Sequence, residues 1–259
     1  MWPAVHFFNL VCALPFLEDL DVGGHRIGVN DDNSAVFQSL TSPPLTGTLG
    51  LYLTLGIKTF TRLLLQLPNG IRFRKLECAW TCPHDVRYTA DLVEACSDTL
   101  QCISIDCKNP GGFSPSFLLW TGSRLTFASG PESLLEGSID FSNAIKLEEI
   151  AFCIRSLGNV WTTLAFKTLT SKHKDLRQIS IGIPVHLPDS FMQMGEKTHR
   201  QWADFDHLLV KLWESNAIHI RVVCIMERGR AEVCERIERL LPEVTKRVIF
   251  ELVDNICVS

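Results

Sequence analysis

The residues best suited to bind a metal ion are Cys78, Cys82 and His84, where two thiols and an imidazole lie close together in the sequence. Thiolates and imidazoles are the usual ligands of structural zinc, which requires four of them, commonly as two spaced pairs. The sequence has no second pair at such a spacing, and Cys78 occupies an apolar strand position. We therefore predict that the protein has no metal site and no cofactor.

Catalytic sequence motifs are also absent. The sequence contains no glycine-rich phosphate loop, no dinucleotide fingerprint, no H-E-x-x-H zinc motif and no G-x-S-x-G nucleophile elbow. His25, His199 and His207 have no catalytic partner at a recognisable spacing. We predict a protein that is not an enzyme; an α/β enzyme with a divergent active site is the alternative.

Polar side chains instead flank the central residue of a short motif, apolar-x-x-apolar-x-apolar, that recurs along the chain. In a β-strand the neighbours of a buried residue point to the opposite face. The candidate partner-binding residues on that face are Asp19, Asp21, Lys75, Glu77, Ser104, Glu149, Gln178, Ser180, His219, Arg221 and Arg247. The early residues are largely acidic and the late ones basic, a gradient that would orient a partner of mixed charge.

The central residues of the motif define a period. They are Leu20, Leu49, Leu76, Ile103, Leu125, Ile150, Ile179, Ile220 and Val248. All but one of the intervals between them fall in the range of roughly 20–29 residues that is typical of leucine-rich repeats. The exception, between Ile179 and Ile220, contains a predicted inserted loop over residues 181–200. Its Phe191, Met192 and Met194 are candidate contacts for a protein partner, since long apolar side chains on solenoid loops adapt to peptides.

Segments of helical periodicity precede several of these strands. They cover residues 57–67, 85–96, 157–169, 202–213 and 233–241, and residues 1–17 are predicted to contain a core helix. One strand with one helix cannot bury both apolar faces alone, so neighbouring units must stack. We predict a single irregular leucine-rich-repeat-like domain over residues 1–259, an α/β solenoid with parallel strands on the concave face and helices outside. An open α/β sheet with helices on both faces is the alternative.

The composition limits the classes of partner. Apolar residues make up 46% of the 259 residues and the net charge is −4, so nucleic acid is not expected to bind. The longest uncharged stretches contain prolines and many polar residues, so we predict no membrane span. The ten cysteines are dispersed in apolar surroundings without a C-x-x-C pair, which is typical of buried thiols in the cytoplasm or nucleus.

Several units resemble the irregular leucine-rich-repeat region of fungal F-box-like proteins, known from mushroom-forming fungi. They are residues 17–22 (LEDLDV), 147–152 (LEEIAF), 176–181 (LRQISI) and the 43–49 segment (PPLTGTL). The resemblance implies a protein-binding repeat module that presents the substrate to an SCF-type ubiquitin ligase, in which a separate F-box binds a Skp-type adaptor.

Two features depart from that family. The Asn or Cys that follows each strand in standard repeats is replaced by His25, Lys108, Arg155 and Pro184, which predicts irregular turns. No F-box precedes the repeats, and residues 241–244 (LPEV), which resemble an F-box opening, are predicted to lead into a strand. We expect an F-box that is missing or lost, a free-standing repeat module, or a truncated gene product without activity of its own.

Overall fold

The computed structural model of the chain describes residues 4–14, 17–24, 43–53, 57–80, 85–107, 139–153, 158–184, 196–216, 218–225, 230–247 and 253–254. In chain order the elements are α1 (Ala4–Cys12), β1 (Asp19–Gly24), β2 (Leu45–Leu53), α2 (Ile57–Leu65), β3 (Ile71–Trp80), α3 (Asp85–Ala95), β4 (Cys102–Cys107), β5 (Glu149–Cys153), α4 (Gly158–Lys167), β6 (Gln178–Pro184), α5 (Glu196–Asn216), β7 (His219–Ile225), α6 (Arg230–Leu240), α7 (Pro242–Arg247) and β8 (Val253–Asp254).

The eight strands form one sheet in which each strand lies parallel to the next one along the chain, so the strand order never reverses. The predicted α/β fold is therefore confirmed as an all-parallel sheet accompanied by helices. Seven predicted central residues form one continuous register across β1 to β7: Leu20, Leu49, Leu76, Ile103, Ile150, Ile179 and Ile220. β4 pairs directly with β5. The predicted strands at Leu125 and Val248 lie outside the described residues.

One face of this sheet is buried. The central residues are at most 7% exposed, and the apolar residues of the helices join them in one core. The predicted helices over 57–67 and 85–96 are confirmed as α2 and α3, which pack against each other. Their apolar positions supply the burial: in α2 these are Ile57, Phe60, Leu63 and Leu64. α1 buries Phe8 and Val11 but leaves Leu10 half exposed, so it packs on one side only.

Backbone hydrogen bonds also link residues near the starts of successive strands. The Gln101 N–H donates to the Arg74 carbonyl at 2.8 Å, and the Glu148 N–H donates to the Gln101 carbonyl at 2.7 Å. The Arg177 N–H then bonds the Glu148 carbonyl at 2.8 Å, and the His219 N–H bonds the Arg177 carbonyl at the same distance. Each of these units therefore satisfies backbone groups of the next one.

His173 connects two successive turns that have the same hydrogen-bonding pattern. Ala144 N–H donates to the Phe141 carbonyl at 2.8 Å, and His173 N–H donates to the Thr170 carbonyl at 3.1 Å. The His173 ring is fully buried; its Nδ1 accepts the Thr170 N–H at 3.0 Å and its Nε2 lies 2.8 Å from the Phe141 carbonyl oxygen. Nε2 therefore donates to the Phe141 carbonyl oxygen, because a carbonyl oxygen can only accept, and Nδ1 also lies 3.1 Å from the Thr170 carbonyl oxygen. The sequence analysis did not single out this residue.

Two segments differ from the sequence prediction. Both ends of the predicted loop over 181–200 belong to regular elements, since β6 continues to Pro184 and α5 begins at Glu196; residues 185–195 lie outside the described residues. The predicted strand position of Arg247 is wrong, since Arg247 is the last residue of α7, and the LPEV segment leads into that helix. Pro242 suits the first turn of a helix, and Lys246 and Arg247 suit its carboxyl end, which favours the helix over a strand.

A side chain from α5 caps the amino end of α7. Asp206 of α5 is 1% exposed, and its carboxylate accepts the N–H groups of Glu243 at 2.7 Å and Val244 at 2.9 Å. We expect Asp206→Ala to lower the free energy of unfolding by about 1–3 kcal/mol, because two buried donors lose their acceptor. Urea denaturation measures this loss. The exposed neighbour Asp204 provides the control, and Asp204→Ala should change stability by less than about 0.5 kcal/mol.

Candidate functional site

The face of the sheet opposite the buried core carries polar side chains in register, and we call it the open face. Its first row contains Asp19, Thr48, Lys75, Cys102, Glu149, Gln178 and His219, and its second row contains Asp21, Gly50, Glu77, Ser104, Ala151, Ser180 and Arg221. All the predicted strand-face residues except Arg247 lie in these two rows. The structure therefore brings together residues that are up to 202 positions apart in the sequence, from Asp19 to Arg221.

Exposure differs between the two rows. In the first row Asp19, Lys75, Glu149 and His219 are exposed. In the second row Glu77, Ser104, Ala151, Ser180 and Arg221 are half-buried, while Asp21 is exposed. The open face is thus accessible along its first row and more enclosed along its second.

The most densely connected part of the open face is a polar cluster of Asp21, Tyr52, Lys75 and Glu77 on β1 to β3. Lys75 Nζ lies 2.6 Å from Glu77 Oε1, and the Tyr52 hydroxyl donates a hydrogen bond to Glu77 Oε2. Both carboxylate oxygens of Glu77 are therefore engaged. Burial tends to raise the pKa of Glu77, but the hydrogen bonds from Lys75 and Tyr52 outweigh it and hold this pKa below its ordinary value.

Gly50 makes room for the polar cluster. A Cβ atom at this position would lie 2.8 Å from Tyr52 Cε2 and would overlap Asp21 Oδ1. Gly50 is the register partner of both Asp21 and Glu77, so the ring and the carboxylate can converge above its bare backbone. The sequence analysis missed Gly50 and Tyr52, although both are at the alternate positions of β2 whose neighbours Leu49 and Leu51 are buried.

The ion pair predicts a pH-dependent contribution to stability. We expect Glu77→Gln to lower the free energy of unfolding by about 1 kcal/mol at pH 7, because the amide cannot accept from both Lys75 and Tyr52. A carboxyl group whose folded pKa is depressed stabilises the fold above its unfolded pKa of about 4.3, and this contribution is lost as the pH falls through the folded value. The difference between the two proteins should therefore shrink below pH 5.

Thermal unfolding of wild type and Glu77→Gln at a series of pH values measures that difference. Glu149→Gln is the matched control, since Glu149 is an exposed carboxylate on the same face. It should change stability little at any pH. A Glu77→Gln difference that stays constant from pH 7 to pH 3 would contradict the ion-pair assignment.

Burial changes the pKa values of three side chains on or behind the open face, Tyr52, Cys78 and Cys96. Burial, helped by the hydrogen bond to Glu77, raises the pKa of the Tyr52 hydroxyl. Burial also raises the pKa of Cys78 to about 12 and that of Cys96 to about 11, which keeps both thiols protonated at neutral pH. Among the residues that the structure describes, no three metal-ligating side chains gather into a metal site. Cys82 and His84 lie outside the described residues.

Charged side chains lie at both ends of the two rows. Asp19 and Asp21 lie on β1, whereas His219 and Arg221 lie on β7. Arg247 does not contribute to the basic end, since its guanidinium lies 3.3 Å from carboxylates of Glu214 and Glu243 on the helices. The predicted loop contacts Phe191, Met192 and Met194 lie outside the described residues.

The part of the chain that the structure describes contains no helix long and apolar enough to cross a membrane.

The candidate site is an accessible polar sheet face with an ion-paired cluster at one end and the residues His219 and Arg221 at the other. No family model matches the chain, and no match was found among curated proteins or solved structures.

Proposed function

We propose that the protein is a non-enzymatic binding module whose open face receives a protein partner. The observation that carries this proposal is the alignment of outward polar side chains from seven successive parallel strands in two rows. Such a surface offers many hydrogen-bonding groups over a large area, which suits another protein better than a small molecule.

The finer architecture that we propose is a leucine-rich-repeat-like solenoid with the open face on its concave side. The sequential strand order and the hydrogen bonds that join successive units support this architecture. On this basis the module would act in the cytoplasm or nucleus as the substrate-recognition part of an SCF-type ubiquitin ligase, as the resemblance to F-box-like proteins implies. A Skp-type adaptor would then be a second partner, bound through an F-box.

An α/β enzyme is less well supported. In doubly wound α/β enzymes the ligand binds in a crevice where the strand order reverses. The strands of this sheet follow the chain order, and the pKa values of Cys78, Cys96 and Cys102 are raised by burial rather than lowered as in a nucleophile.

Quantitative affinity capture with substituted baits tests the protein-binding role. Ser104→Arg and Ser180→Arg each place a long cation on the half-buried row of the open face. We expect either variant to reduce the recovery of specific partners at least about fivefold. Ser215→Arg introduces the same change at an exposed position of α5, where the Ser215 hydroxyl donates to the Lys211 carbonyl, and it should leave recovery within about twofold. Equal recovery with all three baits would refute the role of the open face.

A pull-down with purified Skp-type adaptor tests the ubiquitin-ligase role separately. Binding of the adaptor to this chain would support that role. Failure to bind would leave a protein-binding module and remove the ligase assignment for this chain.

A further inference from the structure

Two exposed arginines lie on the outward side of β3, close to where the strand begins. Arg72 and Arg74 flank Phe73, which is 1% exposed and points into the core, so both arginine side chains point away from it. We call them the arginine pair. In the part of the chain that the structure describes, neither forms an ion pair. Their guanidinium donors are therefore available to a partner.

An extra residue in β3 places Arg74 on this surface. Gly47 of β2 pairs with Phe73 and the next residue, Thr48, pairs with Lys75, so Arg74 has no register partner in β2. This arrangement of two residues against one is that of a β-bulge, which redirects side chains and often lies beside functional sites. The Arg74 carbonyl still accepts an N–H from the residue before β4 at 2.8 Å, which fixes the bulged backbone on that side.

The strands on either side do not neutralise the arginine pair. β2 contains no charged residue, and the only one in β4, Asp106, lies near the opposite end of that strand. Lys75 adds no net charge, because its ammonium lies 2.6 Å from Glu77 Oε1. Asp98, in the turn before β4, and Glu18, just before β1, are exposed carboxylates near the same end of the sheet, and among the described residues no ion pair joins either to the arginine pair.

The spacing of the arginine pair indicates the chemistry of the partner. A guanidinium donates two parallel hydrogen bonds to a carboxylate, and this charged pair is stronger than a neutral hydrogen bond. Residues two apart in a strand lie about 6.6 Å apart on one face. An extended segment lying along β3 presents alternate side chains at the same spacing, so carboxylates two residues apart match Arg72 and Arg74. Adjacent carboxylates point to opposite sides of an extended segment, and only one of them can engage.

We infer that the arginine pair anchors an extended segment of a protein partner through two carboxylate side chains that are two residues apart. This inference rests on the proposed protein-binding function and adds the location and the chemistry of one contact. Thr46, the exposed register partner of Arg72, adds a hydroxyl donor beside the anchor. Because the arginine pair is exposed, salt should weaken this contact.

Two peptides of identical composition test the inference. The probe is a fluorescent octapeptide that alternates glutamate and threonine, so its four carboxylates share one side when it is extended. The control octapeptide has the order Glu-Glu-Thr-Thr written twice, and it contains no two glutamates that are two residues apart. At low salt we expect the full chain to bind the alternating peptide at least about fivefold more tightly in fluorescence anisotropy, since both arginines engage together.

Charge variants locate the binding. Arg72→Glu and Arg74→Glu should each weaken binding of the alternating peptide at least about tenfold, because a donor is lost and its replacement repels carboxylates. Arg87→Glu makes the same charge change at an exposed position of α3 and should leave the affinity within about twofold. Arg72→Gln and Arg74→Gln, which remove the charge without reversing it, should abolish the advantage of the alternating peptide if a glutamate variant disturbs the fold in circular dichroism.

Equal affinity for the two peptides, an effect of Arg87→Glu equal to that of the arginine-pair variants, or no measurable binding at millimolar protein would each overturn the inference. These outcomes are distinct from failure of the proposed function. Partner capture that is sensitive to Ser104→Arg or Ser180→Arg would persist if only the carboxylate anchor is wrong, and would be absent if the open face binds no protein.

Discussion

Gly47→Ala is expected to lower the free energy of unfolding by about 3 kcal/mol and the melting temperature by about 6–12 °C. Gly47 has a φ of +84°, a backbone conformation that costs a side chain roughly 1–2 kcal/mol. An added Cβ would also lie 2.8 Å from the Glu18 carbonyl carbon and overlap its oxygen. That oxygen accepts the Thr48 N–H at 2.7 Å, so relief of the clash would weaken the junction of β1 and β2. Calorimetry measures the loss.

Gly70→Ala separates the two causes of this loss. Gly70 also has a positive φ, +67°, but a Cβ atom there would meet nothing within 4 Å. We expect a loss of about 1 kcal/mol, from backbone strain alone. Equal losses of stability in the two alanine variants would show that the close approach of Gly47 to the Glu18 backbone does not contribute.

Phe166→Ala is expected to lower the free energy of unfolding by about 3–5 kcal/mol. The Phe166 ring is fully buried in α4, with its centroid 5.4 Å from the Phe152 ring of β5 and 5.7 Å from the Phe205 ring of α5. Phe166, on α4, therefore contacts both β5 and the next helix, α5. Its removal would open a cavity between neighbouring units. Chemical denaturation monitored by circular dichroism measures the change.

Two further variants control for this substitution. Phe166→Leu keeps much of the apolar volume and should cost about 1–1.5 kcal/mol. Ile145→Ala truncates an apolar residue that is 48% exposed and should change stability by less than about 0.5 kcal/mol. Similar small losses for all three variants would show that the units do not share a tightly packed core.

The strands could be predicted well from the sequence because their signal is local and periodic. Each unit needs an apolar residue directed at the helices and polar residues directed away from them, which produces the recurring motif. The prediction failed where another local signal was stronger. Pro242, Glu243 and the basic pair Lys246 and Arg247 stabilise a short helix, and this excluded the strand placement of Arg247.

The tertiary polar contacts could not be predicted in this way. Asp206 caps a helix that begins 36 residues later, and His173 bonds a carbonyl 32 residues earlier. Tyr52 reaches Glu77 only because β2 and β3 pair in one particular register, with Gly50 leaving space between them. Such contacts depend on which units become neighbours and on how they align, and no spacing within the sequence encodes that alignment.

The central claim is that the open face, rather than the helical side, receives the partner. Carbodiimide footprinting of carboxylates, read by mass spectrometry with and without a captured partner, tests it most directly. The account predicts that the partner protects Asp19, Asp21 and Glu149 on the strands, whereas Glu94 and Glu214 on the helices remain labelled. Protection confined to Glu94 and Glu214, with unchanged labelling on the strands, would contradict it.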